Sequence, residues 1–488
     1  MIYYRASEDS IAVYFDLPAN RAKSYSYCLN GEKKGERKQT DFLFEGLLPD
    51  TEYLISISPL GESIRVKTLA KKNIIDISLP PFNALGDGKT LNTKAIQAAI
   101  DACDSHSKVV VPAGDFLTGC LTLHSDMELY LQEGAILHGT ADFSDYLPRI
   151  KSRFEGKEME CYSSLLNFGA LDHNSINARN LIIRGKGTIC SGGHKLAKAI
   201  IDDETIKLKG YLDSLGDSIK EFETGITIQG RVRPRLLNIS SAENVWISGV
   251  TLKDSASWNV HMVYSKNIWT DNVSIISYGV WNGDGWDPDS SSDCVLFAST
   301  FDTGDDCVAI KSGKNPEGNK INIPSRNIKV FDVKAKRGHG ICIGSEMSGG
   351  VSDVRVWDAD LSLSWVGFEL KTTPKRGGYI RNVSIRDSLL SRLSIHNVSY
   401  NDDGESSGIY PTITNIKGEG LTIEGRYLDQ HNLEGGGIHT SPYILVEGFA
   451  DKPSNFSNIH FDGLVLLPNG EDKGIVISNC EDVTYSLS

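Results

Sequence analysis

The chain has 488 residues, of which 23% are charged and 40% hydrophobic, and its formal net charge is −13. That length can bury a large core, as one big domain with an appendage or as two to three domains. The negative balance argues against a nucleic-acid partner, and no apolar run approaches the roughly 18 residues of a membrane span. Forty-seven glycines suit a turn-rich β protein. Nine cysteines, an odd number with no CxxC pair, read as reduced thiols rather than a disulfide framework. Residues 1–18 show no basic n-region followed by an apolar h-region, so they do not read as a signal peptide. With Met1 as the native start, the expectation is a cytoplasmic protein.

In chain order, residues 1–72 come first and read as a small all-β module. Residues 11–15, 53–57 and 64–66 carry alternating or β-type patterns. The segment Leu47-Leu48-Pro49-Asp50-Thr51-Glu52-Tyr53 resembles the tyrosine-corner region of a fibronectin type III domain, which implies a β-sandwich. The alternative is an irregular β cap on the domain that follows. Residues 73–91 lead on through Pro80-Pro81 and Gly86-Asp87-Gly88. Residues 92–103 place Ala95, Ile96, Ala99, Ile100 and Cys103 at helical spacing, with Asn92 or Thr93 available as the N-cap. One amphipathic helix ahead of a long β region can cover the open end of a sheet.

Beyond it, short strands share a signature: Asn or Asp, then an apolar residue. It occurs at Asn180-Leu181, Asn244-Val245, Asn267-Ile268, Asp293-Cys294, Asn327-Ile328, Asp353-Val354, Asn382-Val383 and Asn458-Ile459. The steps 245 to 268, 268 to 294, 328 to 354 and 354 to 383 are 23, 26, 26 and 29 residues. A period in the twenties with β-type residues predicts a solenoid of stacked coils. The longer gaps, 181 to 245 and 294 to 328, predict insertions on the solenoid wall, where a groove can be built. Residues 198–226, with Asp202, Asp203, Glu204 and Glu221, are the longest of these, and the plain reading is a solvated loop.

Residues 281–313 hold Asp284, Asp287, Asp289, Asp302, Asp305 and Asp306 among apolar and β-branched residues. Charge this dense in a buried strand is costly unless it does chemistry or binds something. Asp284 and Asp305 are 21 residues apart, about one coil, so they are expected to stack one rung apart. Rungs lie roughly 4.8 Å apart, and a carboxylate pair near that separation suits acid and base work on a glycosidic bond. Asp305 and Asp306 would face opposite sides of a regular strand; both reach a cleft if the backbone bends, which Gly304 permits. The alternative is a Ca²⁺ site or an Asp-rich turn.

Four motifs in order resemble glycoside hydrolase family 28, the polygalacturonases, over roughly residues 80–470. Asn282-Gly283-Asp284-Gly285 is similar to the family's Asn-Thr-Asp motif, with Gly replacing Thr. Gly304-Asp305-Asp306 and Gly338-His339-Gly340 match its Asp-Asp and Gly-His-Gly motifs. Glu369-Leu370-Lys371 stands where Arg-Ile-Lys is usual. The resemblance implies a right-handed parallel β-helix over residues 73–488 and inverting hydrolysis without cofactor or metal. By that resemblance Asp305 is the general acid, and Asp284 and Asp306 hold and deprotonate the attacking water. Crowded carboxylates cannot all ionise, so one keeps its proton. His339 is expected to tune the acid and contact the sugar. Asn282 and Lys371 are expected to bind substrate, Lys371 at a uronate carboxylate; Lys311, Arg337 and Arg376, near the motifs in sequence, are further candidates. An Arg at position 369 would clamp a carboxylate, whereas Glu369 repels it or pairs with a base such as Arg376.

The reading is an exo-acting galacturonidase that takes galacturonic acid from the non-reducing end of α-1,4-linked oligogalacturonides. Glu369 keeps open a rhamnogalacturonan-type hydrolase cutting beside rhamnose. A Ca²⁺-dependent pectate lyase and a non-catalytic carbohydrate-binding solenoid are the other rivals. The expected partner is thus a pectic oligosaccharide, with no nucleic acid and no membrane.

Overall fold

In a computed structural model the described residues are 1–488 except 223, 401–403, 430–436 and 472–473. Each signature Asn or Asp adopts the left-handed conformation, with φ of 61° at Asn180, 60° at Asn244, 56° at Asn267, 55° at Asp293, 53° at Asn327, 58° at Asp353 and 56° at Asn382 and Asn458. Asn and Asp tolerate that region where other side chains clash, which is why the repeat is written in these residues. The apolar residue after each then falls in register through the whole stack: Leu181, Val245, Ile268, Cys294, Ile328, Val354, Val383, Ile416 and Ile459 pair in parallel from one coil to the next. Asn415 belongs to the same series, at φ 56°, although the sequence repeat passes over it.

The turn side chains also bond to one another along the stack. Asn244 Nδ2 donates to Asn180 Oδ1 at 2.6 Å, Asn327 Nδ2 to Asp293 Oδ1 at 2.6 Å, Asn382 Nδ2 to Asp353 Oδ1 at 3.0 Å and Asn415 Nδ2 to Asn382 Oδ1 at 2.7 Å. A second ladder is aromatic and buried. Trp269, Phe297, Phe331 and Trp357 follow one another with ring centroids 5.4, 5.0 and 4.1 Å apart. The result is a right-handed parallel β-helix, as the family resemblance implies.

One sheet of this solenoid positions the site. It stacks Val260–Val263, Trp286–Asp289, the ends of Ser292–Ile310 and Ser325–Ile343, then Phe368–Thr372, Leu393–Asn397 and Ile444–Glu447. The insertion between Leu181 and Val245 is helical rather than a loop, with Gly193–Lys207 and Lys209–Leu215. The early helix, Thr93–Asp101, buries Ile96, Ala99 and Ile100 as its spacing predicts. Its cap differs from expectation. Asn92 turns its side chain away to bond Leu85 and Thr90, and Thr93 Oγ1 accepts from Gly119 N at 2.7 Å, so neither side chain caps the helix.

The chain forms two compact units, residues 1–75 with 103–108, and residues 76–102 with 109–488. The first contains an antiparallel sheet of Ile2–Ala6, Ser10–Phe15 and Asp41–Glu45. A second antiparallel sheet holds Glu32–Arg37, Tyr25–Leu29, Glu52–Ser58 and Glu62–Lys67 in that order. Val13, Phe15, Tyr25, Tyr27 and Ile55 pack its core.

Candidate active site

The three aspartates meet through a bulge. Between Phe301 and Asp306 the strand Ser292–Ile310 slips its register twice against its neighbour, and this turns Asp305 and Asp306 toward the same cavity. Gly304 is required there for close approach: a Cβ would lie 2.2 Å from Val280 O. The same wall explains Gly283, where a Cβ would lie 2.7 Å from Val280 O and 2.9 Å from Ser277 O, so the Thr usual in the family does not fit. The rung partner of Asp284 is Asp306 rather than Asp305, since Gly285 N donates to Asp306 O at 2.8 Å and Trp286 pairs with Val308. The expected one-coil stacking of Asp284 on Asp305 is therefore off by one residue, the residue absorbed in the bulge.

A cavity of about 270 Å³ is lined by Asn282, Asp284, Asp305, Asp306, Lys311, His339, Lys371 and Arg376 of the residues expected from sequence. Cations are shared unequally among the aspartates. Lys311 Nζ lies 3.0 Å from Asp284 Oδ2. His339 Nδ1 is 3.3 Å from Asp306 Oδ1 and 3.6 Å from Asp305 Oδ1, ion-pair distances rather than aligned hydrogen bonds. Burial raises the pKa of Asp305, and the adjacent Asp306 raises it further. Burial pushes up Asp306 as well, but Lys371 and then His339 outweigh it and hold it below the usual range. Asp284 is pushed up to about 8 by burial together with Asp305 and Asp306, against the pull of Lys311. Burial opposes the charge on Lys311, but the surrounding carboxyls, Asp284, Asp287, Glu346 and Asp306, together raise its pKa. Burial and mutual repulsion thus favour a proton on Asp284 and Asp305, while the cations favour Asp306 as the carboxylate.

Two of the expected residues stand outside the cavity lining. Arg337 is held bidentately by Asp302, with Nε to Oδ1 at 2.6 Å and Nη2 to Oδ2 at 2.7 Å, and it stacks on Tyr278. Its ion pair ties the bulge to the neighbouring strand. Glu369 is 8% exposed and pairs with His396 Nε2 at 2.8 Å and Lys371 Nζ at 3.3 Å, not with Arg376. Although burial opposes it, Lys371 and His396 keep the Glu369 carboxyl ionised far below its ordinary range. Arg376 is tied to Ser345 O at 2.8 Å and Asn315 Oδ1 at 2.6 Å while still reaching the cavity.

The sequence reading missed Glu155, Trp258, Trp281, Lys314, Ser345, Glu346 and Tyr400, all of which line the cavity. It also missed Arg233, which is fully buried behind the wall. Arg233 Nη2 donates to Asn282 Oδ1 at 2.6 Å and Nη1 to Trp281 O at 2.7 Å, and its guanidinium stacks on the Trp281 ring. The run Arg231-Val232-Arg233-Pro234-Arg235 ahead of a strand was the available signal for it.

Asp305, Asp306 and His339 offer ligand atoms within 4.8 Å of one another, as do Asp306, Cys342 and Glu369. Lys371 and His339 already supply positive charge at the carboxylates. Ca²⁺ needs six to eight oxygen ligands, which neither mixed set provides.

A β-helix whose cavity gathers three aspartates, a histidine and lysines defines a carbohydrate-cleaving enzyme. The chain matches the glycosyl hydrolases family 28 over residues 105–425. It is 30% identical over 456 residues to an exo-poly-alpha-D-galacturonosidase of Dickeya chrysanthemi, covering 86% of this chain and 73% of that one. The family 28 exopolygalacturonase of Yersinia enterocolitica superposes with a TM-score of 0.80 at 22% identity, over 99% of this chain and 98% of the other. The hyperthermoactive exopolygalacturonase from Thermotoga maritima gives a TM-score of 0.69 at 26% identity, over 85% and 90%. The protein belongs to glycosyl hydrolase family 28.

Proposed function

We propose that the protein is an inverting exo-polygalacturonase that releases galacturonic acid from the non-reducing end of α-1,4-linked oligogalacturonides. The observation that carries this reading is the unequal sharing of cations among Asp284, Asp305 and Asp306. Asp305 has the longest cation contact of the three, 3.6 Å to His339, and burial beside Asp306 favours its protonated form, so it is assigned the proton that passes to the glycosidic oxygen as the C–O bond breaks. Asp306, ionised by Lys371 and His339, takes a proton from the water that attacks the anomeric carbon from the opposite face. Asp284, pushed up to about 8, keeps its own proton at neutral pH and orients that water together with Lys311. Solvent resets both groups after each turnover.

Three further points support exo action on a uronate. The cavity, about 270 Å³, is at the small end of ligand sites. Lys311, Lys314, Lys371 and Arg376 line it, which suits an anionic sugar in a protein of net charge −13. Glu369 is withdrawn from the lining and anchors Lys371, so its presence in place of Arg does not confront a substrate carboxylate. The relatives named exo-enzymes point the same way.

The test is chromatography of reducing-end-tagged pentagalacturonate during early digestion. Untagged monomer and a tagged chain one unit shorter are expected. Tagged products of many lengths would mean internal cutting. Cleavage of a galacturonate–rhamnose oligomer alone would favour the rhamnogalacturonan reading. For the N-terminal unit we propose a fibronectin type III-like sandwich, supported by its three-plus-four strand arrangement and by Tyr53 Oη accepting from Leu48 N at 2.9 Å. An experimental structure with another strand order would contradict that assignment.

A further inference from the structure

His339 is the first ring of a row that leads away from the cavity. Ring centroids are 5.6 Å apart from His339 to Trp365, 5.4 Å from Trp365 to Tyr427 and 5.5 Å from Tyr427 to His439. The row crosses the coils and ends on one hairpin. Trp365 precedes Phe368–Thr372, and Arg392 precedes Leu393–Asn397. Tyr427 and His439 lie on the hairpin strands Arg426–Leu428 and Ile438–Thr440, ahead of Ile444–Glu447. Those three strands stack one upon the next in the sheet that carries the catalytic aspartates. The ring spacings, 5.4 to 5.6 Å, are on the scale of a sugar ring, and the last two rings are cross-strand partners in one hairpin.

Nothing in the catalytic arrangement uses this row, and none of its members beyond His339 lines the cavity. Trp365, Arg392 and Tyr427 are partly exposed and His439 is exposed. The Arg392 guanidinium lies 4.3 Å over the Tyr427 ring, and its Nε donates to Trp365 O at 3.0 Å. Among the described residues its remaining N–H groups have no hydrogen-bond partner, and no carboxylate pairs with it; Glu369 and Glu471 act on it only from a distance. Burial depresses its pKa, the mark of a cation that lacks an anion. A carboxylate beside Arg392, which itself covers the Tyr427 ring, would meet the open fork of the guanidinium, while the apolar face of a pyranose ring can pack against the exposed His439.

We propose that Trp365, Arg392, Tyr427 and His439 form a leaving-side platform that binds the second and later units of an acidic oligosaccharide. This rests on the exo-hydrolase reading, in which every unit but the terminal one must lie outside a small cavity. The row begins at His339 and runs past the coil of Lys371, away from the coil of Asp284. The platform makes chain length a determinant of rate without adding a catalytic group.

The test compares kcat/KM on tetragalacturonate with that on digalacturonate. In Tyr427→Ala and Arg392→Gln the ratio is expected to fall about three- to tenfold, and Tyr427→Phe should keep it. An unchanged ratio in both variants, or equal losses on both substrates, overturns the platform. A parallel arm measures binding of the two oligomers to Asp305→Asn by calorimetry, with and without the Tyr427 and Arg392 changes. If the wild-type protein cleaves neither oligomer, the hydrolase reading fails by itself. The binding arm still decides the platform: preferential weakening of the tetramer supports it, and no such preference overturns it.

Discussion

Two groups of buried aspartates in one solenoid are treated in opposite ways. On the wall, Asp271 accepts from Trp246 Nε1 at 2.6 Å, Trp269 Nε1 at 2.9 Å, Ser248 Oγ at 2.8 Å and Asn272 Nδ2 at 2.8 Å. On the catalytic sheet, Asp284 Oδ1 and both oxygens of Asp287 are buried without a hydrogen-bond partner among the described residues. A buried charge that serves architecture is surrounded by donors. The proposed base belongs with the second group, since Asp306 Oδ1 is also buried without a hydrogen-bond partner among the described residues, and the fold carries that cost where the chemistry needs it.

The largest effect that sharpens this contrast is on turnover. Asp305→Asn keeps the shape of the side chain but cannot donate a proton, so kcat should fall about 10²–10⁴-fold with substrate affinity retained. A variant that kept more than about a tenth of wild-type kcat would remove Asp305 from the acid role. The wall aspartate should respond the other way. Asp271→Leu strands two indole N–H groups, a hydroxyl and an amide, and is expected to cost on the order of 3–5 kcal/mol of stability. The kcat of the folded fraction should stay near wild type; denaturant unfolding beside active-site titration would show whether it does.

Glu369 lies between the two cases, since it is buried and paired yet touches Lys371. Glu369→Gln should loosen Lys371 and raise KM about tenfold, with kcat changed far less. A kcat loss as large as that of Asp305→Asn would put Glu369 in the chemistry instead. The smallest effect concerns Asp287, whose carboxyl burial and the neighbouring Asp284 hold well above the ordinary range. A folded-state pKa raised in this way gives stability that is complete below the unfolded carboxylate range and is lost as pH rises through the folded value. Asp287→Asn has no such proton to lose. Its Tm should therefore decline less than that of the wild type between pH 5.5 and pH 8.5, by a few degrees. Parallel declines measured by calorimetry would mean that Asp287 is ionised already or is not strained.

Much of the solenoid was legible because its physics is local. A left-handed turn selects Asn or Asp, and the next residue must fill the core, so each coil carries its own mark. The four motifs were legible for the same reason, each being contiguous. Partners across the parallel ladder were not. Arg376 was the nearby base in sequence for Glu369, but the ladder sets Lys371 beside His396, and it is His396 that reaches Glu369. Arg337 is two residues from His339, yet the bulge in the neighbouring strand pairs Arg337 with Asp302 and His339 with Asp306, and Arg337 is held by Asp302. Trp258, Trp281 and Tyr400 come from other coils or their loops, and no local pattern distinguishes an aromatic at a cavity from one in the core.

The central claim is that the under-paired aspartates carry out single displacement on a terminal galacturonate. Proton NMR of trigalacturonate, recorded from the first seconds of digestion, tests it most directly. The account predicts that free galacturonic acid appears first as the β-anomer, with digalacturonate as the other product, and mutarotates afterwards. Galacturonic acid appearing first as the α-anomer would mean retention, and would contradict the assignment of Asp306 as the base that activates water.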